Sequence, residues 1–249
     1  MQSAEKISRG DTIGGGVSGL VERLPSGNVV KSPWTGSEEA ICRAEIALER
    51  RIYENLGPHA RLVKIIAWDA DECVLTMEYM PNGCLRDYLT MHNDEILVAQ
   101  RLRWAREAAE GLQLLHSTHI LHCDVGPKNF LLDANLNLKI ADFSGSSFEG
   151  SRASACAPPI RFQSPSHDFR GSTIQDDLFA LGSMVYFIMT GRAPYEDVGS
   201  DEVKKRYKAH NFPSDVTEIL CGEIIQRCWH FEVASAQEVY DFVSNESTS

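Results

Sequence analysis

Short apolar runs separated by turn signals dominate the start of the chain. Residues 10–31 form three such runs, interrupted by a cluster of glycines and by the turn sequence Pro25-Ser26-Gly27-Asn28. Two further apolar runs cover residues 61–68 and 73–79. Short runs bounded by turn residues are typical of β-strands. The pattern therefore predicts a sheet-rich lobe over the first 80 residues.

One amphipathic helix interrupts these strands. Apolar residues recur at helical spacing between Ile41 and Leu56, and the sequence Gly57-Pro58 should end the helix. Ser37 is the expected N-cap, because its side chain can accept a hydrogen bond from the first turn.

A different pattern begins after Pro81-Asn82-Gly83. Helical spacing predicts a long helix over residues 97–115 and a more apolar helix over residues 174–190 that ends at Gly191. Between them, residues 122–167 are irregular and polar. Long structured connections inside a compact domain usually carry function, so we expect the chemistry there.

The acidic composition narrows the class of partner. The chain has 249 residues, 43% of them hydrophobic, which is enough for one large domain or two lobes. Its 24 Lys and Arg against 35 Asp and Glu give a net charge of −11. Surfaces that bind nucleic acid or anionic membranes are basic, so neither partner is expected. A phosphorylated small ligand stays possible, because a few local cations and amide groups can bind it.

A cytoplasmic location is the simplest interpretation of the remaining composition. The start of the chain lacks the basic and apolar regions of a secretory signal, and no apolar run approaches the roughly 20 residues of a membrane helix. The cysteines form an odd set without a CxxC pair, which argues against a disulfide framework and a zinc site. They are Cys42, Cys73, Cys84, Cys123, Cys156, Cys221 and Cys228.

Three glycines stand at the spacing of a phosphate-binding turn. Gly14, Gly16 and Gly19 fit the pattern GxGxxG, and Val21 follows two residues later. Glycines there let backbone amides approach phosphate oxygens without interference from a Cβ atom. A second strand follows, whereas the dinucleotide-binding motif requires a helix. A phosphate-binding loop and a plain glycine-rich hairpin both stay open on this pattern alone.

A lysine lies at the end of the next apolar strand. Lys31 comes 12 residues after Gly19 and could direct its ammonium group at phosphates, with Glu49 on the following helix as an ion-pair partner. The alternative is a solvated lysine and an unrelated surface glutamate. Only the wider pattern separates these interpretations.

The strongest chemical signal lies in the sequences HILHCDVGPKNFLLD and LKIADFSG. Asp124 is followed by Asn129 five residues later and by Asp142 eighteen residues later. One carboxylate can orient a hydroxyl group, while an amide oxygen and a second carboxylate are ligands that Mg²⁺ prefers. Each residue alone could be an ordinary turn former. Their joint spacing between apolar runs favours a magnesium-dependent site.

With its motifs in this order, the chain resembles the eukaryotic protein kinases along nearly its whole length, and in style the compact fungal members. The resemblance implies an α+β fold of two lobes: a small antiparallel β-sheet lobe with one helix, and a larger, mainly helical lobe. It implies a single kinase domain over 1–249, with the nucleotide-gripping lobe at 1–80, the catalytic lobe at 81–249 and no further domain.

The resemblance also implies where ATP binds. Lys31 matches the family's strand lysine, with Glu49 as its helix partner and Glu45 as the alternative. Met77 and the hinge that follows it would bind adenine, the hinge through backbone groups. The residues expected to contact the nucleotide are Ile13, Gly14, Gly16, Gly19, Val21, Val29, Lys31, Glu49, Met77, Glu78, Met80 and Leu131.

The same resemblance assigns the chemistry to the polar segment. Asp124 would orient the acceptor hydroxyl, while Lys128 and Lys31 would offset charge on the transferred phosphoryl group. Asn129 and Asp142 would hold Mg²⁺. The expected function is phosphoryl transfer from ATP to a protein substrate. Serine or threonine is the expected acceptor on the frequency of these acceptors in the family, while tyrosine and the oligomeric state are left open.

Four residues depart from the family pattern. Cys123 replaces the arginine that pairs with an activation-loop phosphate, and Gly126 stands where serine/threonine kinases carry a lysine. Ser144 replaces the glycine of DFG, and Ser166 the glutamate of APE. Asp177 matches the helix aspartate that braces the catalytic loop. The departures keep two alternatives open: a pseudokinase that binds nucleotide as a scaffold, and a small-molecule phosphotransferase of the aminoglycoside-kinase type.

Overall fold

The amino-terminal lobe is a five-stranded antiparallel sheet in the order β1-β2-β3-β5-β4. We analysed a computed structural model, which describes residues 9–150, 153–154, 158–167 and 171–246. The predicted sheet-rich lobe is confirmed, although the later strands are shorter than their apolar runs. The strands are β1 Asp11–Gly15, β2 Gly19–Arg23, β3 Val29–Pro33, β4 Ile65–Asp69 and β5 Val74–Met77.

The predicted helix of this lobe, α1, spans Glu39–Leu56 and packs against β3 and β5. Ser37 is not its N-cap: the helix begins one residue later than that position allows, with Glu38 as N-cap and no side-chain cap hydrogen bond. The chain leaves the helix at Gly57, whose φ of 66° is a conformation that glycine adopts without strain. The buried residues recur every three or four positions: Cys42, Ile46, Glu49, Ile52 and Tyr53.

The second lobe is mainly helical. The long helix and the apolar helix predicted from spacing are confirmed, and the apolar helix begins at a capping box between Thr173 and Asp176 and ends at Gly191. None of the helices described here combines the length and apolar character needed to cross a membrane. The helices are α2 Leu85–His92, α3 Val98–Ser117, α4 Ile174–Thr190, α5 Ser200–Lys208, α6 Gly222–Trp229 and α7 Ala236–Glu246, with 3₁₀ turns at Asn93–Glu95 and Ser214–Glu218.

A two-stranded hairpin carries the polar segment. β6 spans Phe130–Leu132 and pairs antiparallel with β7, Leu138–Ile140. Both strands bury their first and last residues, so the hairpin is anchored in the core. The residues immediately before β6 and immediately after β7 therefore lie at fixed positions beside the sheet lobe.

The lobes are joined at a second place besides the chain connection after β5. The buried Arg61 donates from its side chain to the carbonyl of Leu138 (3.1 Å) and forms an ion pair with Glu107 on α3 (2.6 Å). Its own carbonyl accepts the amide of Ile140 (2.8 Å). This contact attaches the segment before β4 to β7 and α3.

Candidate active site

A cleft of about 800 Å³ lies between the sheet lobe and the helical lobe. Its walls bring together residues that are up to 141 positions apart in the chain, from Ile13 to Ser154. Fifteen of the sixteen predicted site residues line it: Ile13, Gly14, Gly16, Val21, Val29, Lys31, Glu49, Met77, Glu78, Met80, Asp124, Lys128, Asn129, Leu131 and Asp142.

Gly19 is the exception: it does not line the cleft, and its contact with the nucleotide stays a prediction. It is buried at the start of β2, and a Cβ atom there would lie 2.2 Å from the carbonyl oxygen of Ser32 on β3. A Cβ atom at Gly16, by contrast, would meet nothing within 4 Å. Gly19 is therefore required by the close approach of two strands, whereas Gly16 lies in the cleft wall.

The floor of the cleft is a small apolar cluster. Val63, Met80 and Ala141 are buried together, and Met77 and Leu131 pack against them. Val63 and Ala141 were not among the predicted site residues, because each is an ordinary apolar residue beside a strand. The cluster offers a flat apolar ring an environment removed from water.

The connection after β5 is held rigidly on its outer side. The amide of Glu78 donates to the carbonyl of Lys64 (3.0 Å), and the Glu78 carboxylate accepts from the Lys64 amide (2.7 Å) and from Lys139 Nζ (3.0 Å). Within the described part of the chain, the carbonyl of Glu78 and the amide of Met80 make no hydrogen bond. Both groups are thus available to a ligand that lies on the apolar floor.

Lys31 stands at the centre of an ion triad with Glu49, which is buried, and Asp142, whose side chain is 43% exposed. Its Nζ atom lies 2.7 Å from Glu49 Oε2 and 2.6 Å from Asp142 Oδ1. Glu45 also lines the cleft, but of the two candidate partners it is Glu49 that forms the ion pair. The Lys31 and Glu49 side chains are 6% and 2% exposed, so their charges are compensated within the protein.

The triad shifts the protonation of its members. Burial lowers the pKa of Lys31, but the negative charges of Asp142 and Glu49 outweigh burial and raise it. Burial raises the pKa of Asp142, but the charge of Lys31 and hydrogen bonds from Lys31 and Ser144 bring it down to about 2. Lys31 is therefore cationic and Asp142 anionic near neutral pH.

Phe143 fixes the position of its neighbour Asp142. The ring is fully buried and contacts the rings of Tyr53 (centroids 4.9 Å apart) and His122 (5.7 Å). Its amide donates to Glu49 Oε1 (3.2 Å), the other oxygen of the carboxylate that binds Lys31. Glu49 thereby positions Lys31 and the backbone of Phe143 together.

The catalytic-loop segment before β6 presents a carboxylate and an amide side by side. Asn129 Nδ2 donates to the backbone carbonyl of Asp124 (2.8 Å) and to its Oδ2 atom (2.9 Å). Burial raises the pKa of Asp124, against the lowering effects of His122 and Asn129. Lys128 is exposed at the mouth of the cleft.

Asp177 on α4 braces this segment, as its motif predicted. The carboxylate is 2% exposed and accepts hydrogen bonds from the amides of His122 (2.8 Å) and Cys123 (3.0 Å). His116 Nε2 lies 3.0 Å from the same carboxylate. Cys123 has a φ of 68°, an uncommon conformation for a residue with a side chain. The two backbone hydrogen bonds hold it in that conformation.

The Cys123 thiol takes no part in the cleft. It is 4% exposed and donates to the carbonyl of Leu121 (3.3 Å). Burial raises its pKa to about 12, so it is a neutral packing group rather than a nucleophile.

The segment that corresponds to APE is anchored without the missing glutamate. Arg161 donates from its side chain to the carbonyls of Tyr195 (3.2 Å) and Glu196 (3.1 Å), and its own carbonyl accepts from the Tyr207 hydroxyl (3.0 Å). Ser166 shares a hydrogen bond with Ser164 (2.8 Å). These contacts replace the ion pair that the family motif would supply.

The cleft offers oxygen ligands that fit a shared divalent cation. Asn129 uses its Nδ2 atom for Asp124, and among the described residues neither its Oδ1 atom nor Asp142 Oδ2 accepts a hydrogen bond. No cluster of three or more His, Cys, Asp or Glu that could hold a metal is present in the described ranges. Mg²⁺ commonly binds one or two protein oxygens together with substrate phosphates, and this pair fits that mode.

Comparison with known proteins points to one family. Residues 27–244 match the family model described as protein tyrosine and serine/threonine kinase. A probable leucine-rich repeat receptor-like protein kinase of Arabidopsis thaliana is 32% identical over 241 residues, which cover 88% of this chain and 25% of that protein.

Two further relatives carry different acceptor classes in their names. A dual specificity protein kinase of Dictyostelium discoideum is 25% identical over 81% of this chain and 42% of its own length. A cytoplasmic tyrosine-protein kinase of Mus musculus is 26% identical over 69% of this chain and 28% of its own length. The chain thus spans less than half of each of these relatives. They come from a plant, a slime mould and a mouse, so the likeness to compact fungal kinases stays a prediction.

Proposed function

Because this chain belongs to the protein tyrosine and serine/threonine kinase family, we propose that it is an active protein kinase that transfers the γ-phosphoryl group of ATP to a protein hydroxyl. The observation that carries this proposal is the triad of Lys31, Glu49 and Asp142, with distances of 2.7 and 2.6 Å. It lies in the same cleft as Asp124 and Asn129. The groups that we propose to contact the phosphates and the metal therefore lie in one cleft.

Each polar residue has a role in the proposed transfer. The apolar floor would hold adenine. At its edge lie the carbonyl of Glu78 and the amide of Met80, which make no hydrogen bond within the described residues. Lys31 would contact the phosphates, because it is cationic and points into the cleft. Asp124 would accept or orient the proton of the acceptor hydroxyl, since its raised pKa makes it a better base than a solvated aspartate. Lys128 would offset charge near the transferred group.

Asn129 and Asp142 would hold Mg²⁺ through Oδ1 and Oδ2, the oxygens that accept no hydrogen bond from the described residues. When bound, Mg²⁺ neutralises charge on the phosphate oxygens. This contribution is important in a chain with a net charge of −11, whose overall field opposes the approach of a nucleotide.

Serine or threonine is the proposed acceptor, on the frequency of these acceptors in the family. The relatives include serine/threonine, tyrosine and dual specificity kinases by name. A degenerate peptide library with serine, threonine and tyrosine as separate acceptors would decide between them. The same assay with a pool of small metabolites tests the aminoglycoside-kinase alternative, which requires label in the metabolites alone.

The central experiment compares the purified protein with Asp142→Asn in transfer of labelled phosphate from ATP. We expect Mg²⁺-dependent transfer that Asp142→Asn lowers by at least about 10²-fold, the effect of deleting one preorganised electrostatic contact. Asp241→Asn is a matched control, because Asp241 is exposed on α7 and outside the cleft walls. If the parent transfers no more phosphate than Asp142→Asn, the result would favour the pseudokinase alternative.

A cytoplasmic location is also proposed. All six cysteines within the described ranges are free thiols, and Cys156 lies outside them. Free buried thiols are the usual state in a reducing compartment. The protein substrate, the partners and the activity of any longer protein that contains this domain are open to the same library and transfer assays.

A further inference from the structure

Two serine hydroxyls connect the glycine-rich loop to the proposed metal-binding carboxylate. Ser18, between Gly16 and β2, is 3% exposed, and its Oγ atom lies 3.1 Å from Ser144 Oγ. Ser144 is 8% exposed, and its Oγ atom lies 2.8 Å from Asp142 Oδ1. The two serines are 126 positions apart in the chain and come from opposite lobes.

The hydrogen-bonding capacity of Ser144 gives this contact a direction. A hydroxyl has one proton to donate and two lone pairs that accept. Ser144 donates this proton to Asp142 Oδ1 (2.8 Å). Ser144 then accepts from Ser18 (3.1 Å) and from Lys31 Nζ (3.4 Å). The Ser144 hydroxyl is thereby fully used, and each donor strengthens its donation to the carboxylate.

The result is a fixed orientation of the Asp142 carboxylate. Lys31 and Ser144 both donate to Oδ1, at 2.6 and 2.8 Å. Oδ2, which accepts no hydrogen bond from any described residue, is left to face the cleft. A glycine at position 144, as in the family motif, would supply no such donor.

The tip of the glycine-rich loop, residues 16–18, is also held by side chains from outside the loop. The carbonyl of Gly16 accepts from Trp34 Nε1 (2.8 Å), and the carbonyl of Val17 accepts from the Cys42 thiol (3.6 Å). Ser18 is the next residue in this series and the one that reaches the other lobe. The loop therefore presents its hydroxyl to Ser144 from a defined position.

We propose that Ser144 is a positioning residue, which couples the glycine-rich loop to the metal-binding carboxylate through an ordered hydroxyl chain from Ser18 to Ser144 to Asp142. The inference deepens the proposed kinase function and rests on it for the role of the metal. The coupling itself is a property of the protein without nucleotide. In this arrangement, closing of the loop and orientation of Asp142 occur together.

Amide hydrogen exchange in the nucleotide-free protein tests the coupling directly. The reporter is the amide of Gly16, which donates to the carbonyl of Gly19 (3.0 Å) inside the loop. We expect Ser144→Ala and Ser18→Ala each to raise exchange over residues 14–19 by about three- to tenfold, the scale of one lost hydroxyl hydrogen bond. Ser144 has an ordinary negative φ, so alanine fits its backbone.

Ser32→Ala is the matched control. Ser32 is 3% exposed and adjacent to Lys31, but its hydroxyl has no hydrogen-bond partner among the described residues. It should leave exchange over residues 14–19 unchanged. In the double variant Ser18→Ala/Ser144→Ala, exchange should exceed that of Ser144→Ala by less than twofold, because both changes break one chain. Independent, multiplying effects would overturn the proposal, as would normal exchange in Ser144→Ala.

Nucleotide binding measured against Mg²⁺ concentration separates positioning from a general structural effect. Ser144→Ala should raise, by about tenfold, the Mg²⁺ concentration that gives half of the full Mg²⁺-dependent increase in nucleotide affinity. The reason is that a hydrogen bond to a charged group is lost. Nucleotide affinity without Mg²⁺ should change by less than twofold. A merely structural defect would weaken nucleotide affinity both with and without Mg²⁺, and that result would refute the positioning role of Ser144. If the parent binds no nucleotide with Mg²⁺, the proposed kinase function fails, while hydrogen exchange still decides on the coupling. If Ser144→Ala does not fold, Ser18→Ala tests the same chain from its other end.

Discussion

Replacement of Asp177 by asparagine removes the charge that braces the catalytic loop while keeping the shape of the side chain. Asp177 is 2% exposed and accepts from the amides of His122 and Cys123 at 2.8 and 3.0 Å, with His116 at 3.0 Å. Asparagine offers one acceptor oxygen instead of two. If that oxygen serves His122, the new amide group faces the Cys123 amide, and two donors meet at hydrogen-bond distance.

The expected loss of stability follows from these contacts. One hydrogen bond to a charged group is lost, which costs about 1.5–3 kcal/mol, and a buried amide is left without an acceptor, which costs about 1–3 kcal/mol. Relief from burying a charge offsets part of this. A net loss of about 3 kcal/mol in the free energy of unfolding is expected, and a chain of this size would show a fall in Tm of about 6–12 °C.

The loss should also reach the chemistry. Cys123 keeps its φ of 68° through the bond to Asp177, and Asp124 is the next residue. When Cys123 relaxes, Asp124 moves, and misplacement by about 1 Å can lower a rate by about 10²-fold. We therefore expect kcat to fall by about 10²-fold, while KM for ATP changes by less than threefold because the triad is untouched.

Equilibrium unfolding in urea, Tm and steady-state transfer rates provide the assay. Asp176→Asn is the matched control, since Asp176 is the preceding residue of the same helix and its hydrogen bonds within the described residues are those of the capping box with Thr173. It should cost about 1 kcal/mol and leave kcat unchanged. If Asp177→Asn costs no more than Asp176→Asn, or leaves kcat intact, the bracing role assigned to this carboxylate is wrong.

Four further predictions follow from the cleft and the sheet. Lys31→Ala should lower phosphoryl transfer by at least about 10²-fold. Glu49→Gln should lower it by more than tenfold, while Glu45→Gln should stay within twofold of the parent. Comparable losses in both glutamate variants would contradict the ion pair between Lys31 and Glu49. Gly19→Ala should destabilise the protein by about 2 kcal/mol or more in urea unfolding, as overpacking predicts, whereas Gly16→Ala should cost less than 1 kcal/mol; the reverse order would refute the strand-contact explanation. At pH 8 the native Cys123 thiol should resist alkylation, measured by mass spectrometry, because burial raises its pKa to about 12, while the less buried Cys84 should react before it. The pKa of Asp142 is lowered from about 3.9 in an unfolded chain to about 2, so its contribution to stability is present above pH 4 and lost as pH falls towards 2. The difference in unfolding free energy between the parent and Asp142→Asn should therefore shrink over that interval. A constant difference would exclude the effect.

The long, strongly periodic elements were predictable from the sequence. The strands around the glycine cluster, helix α1 and helix α4 with its end at Gly191 all follow from apolar spacing and turn residues. Short elements were missed, because α2 with eight residues and α6 with eight residues contain too few turns for a clear period. Ser37 was wrong as a cap, since a cap depends on where the backbone turns rather than on residue type alone.

The candidate site was predictable where chemistry follows local spacing. Asp124, Asn129 and Asp142 flank one hairpin, and their spacing places them in one cleft. The choice between Glu45 and Glu49 required the helix register, because both residues line the cleft. The contact of Ser18 with Ser144 could not be predicted, since no local pattern relates two serines on different lobes. Gly19 matched the motif for a different physical reason, the approach of β2 to β3.

The second junction between the lobes sets how the cleft can open. Two separate attachments define an axis, here the line from the chain connection after β5 to the contact of Arg61 with Glu107 and Leu138. Rotation about this line preserves both junctions, so the lobes open by rotation about one axis rather than about any axis through a single junction. Such a rotation would have to break the contacts that join the two lobes inside the cleft, Lys31 with Asp142 and Ser18 with Ser144. The Lys31–Asp142 and Ser18–Ser144 contacts therefore resist opening of the cleft, and the two junctions limit its direction.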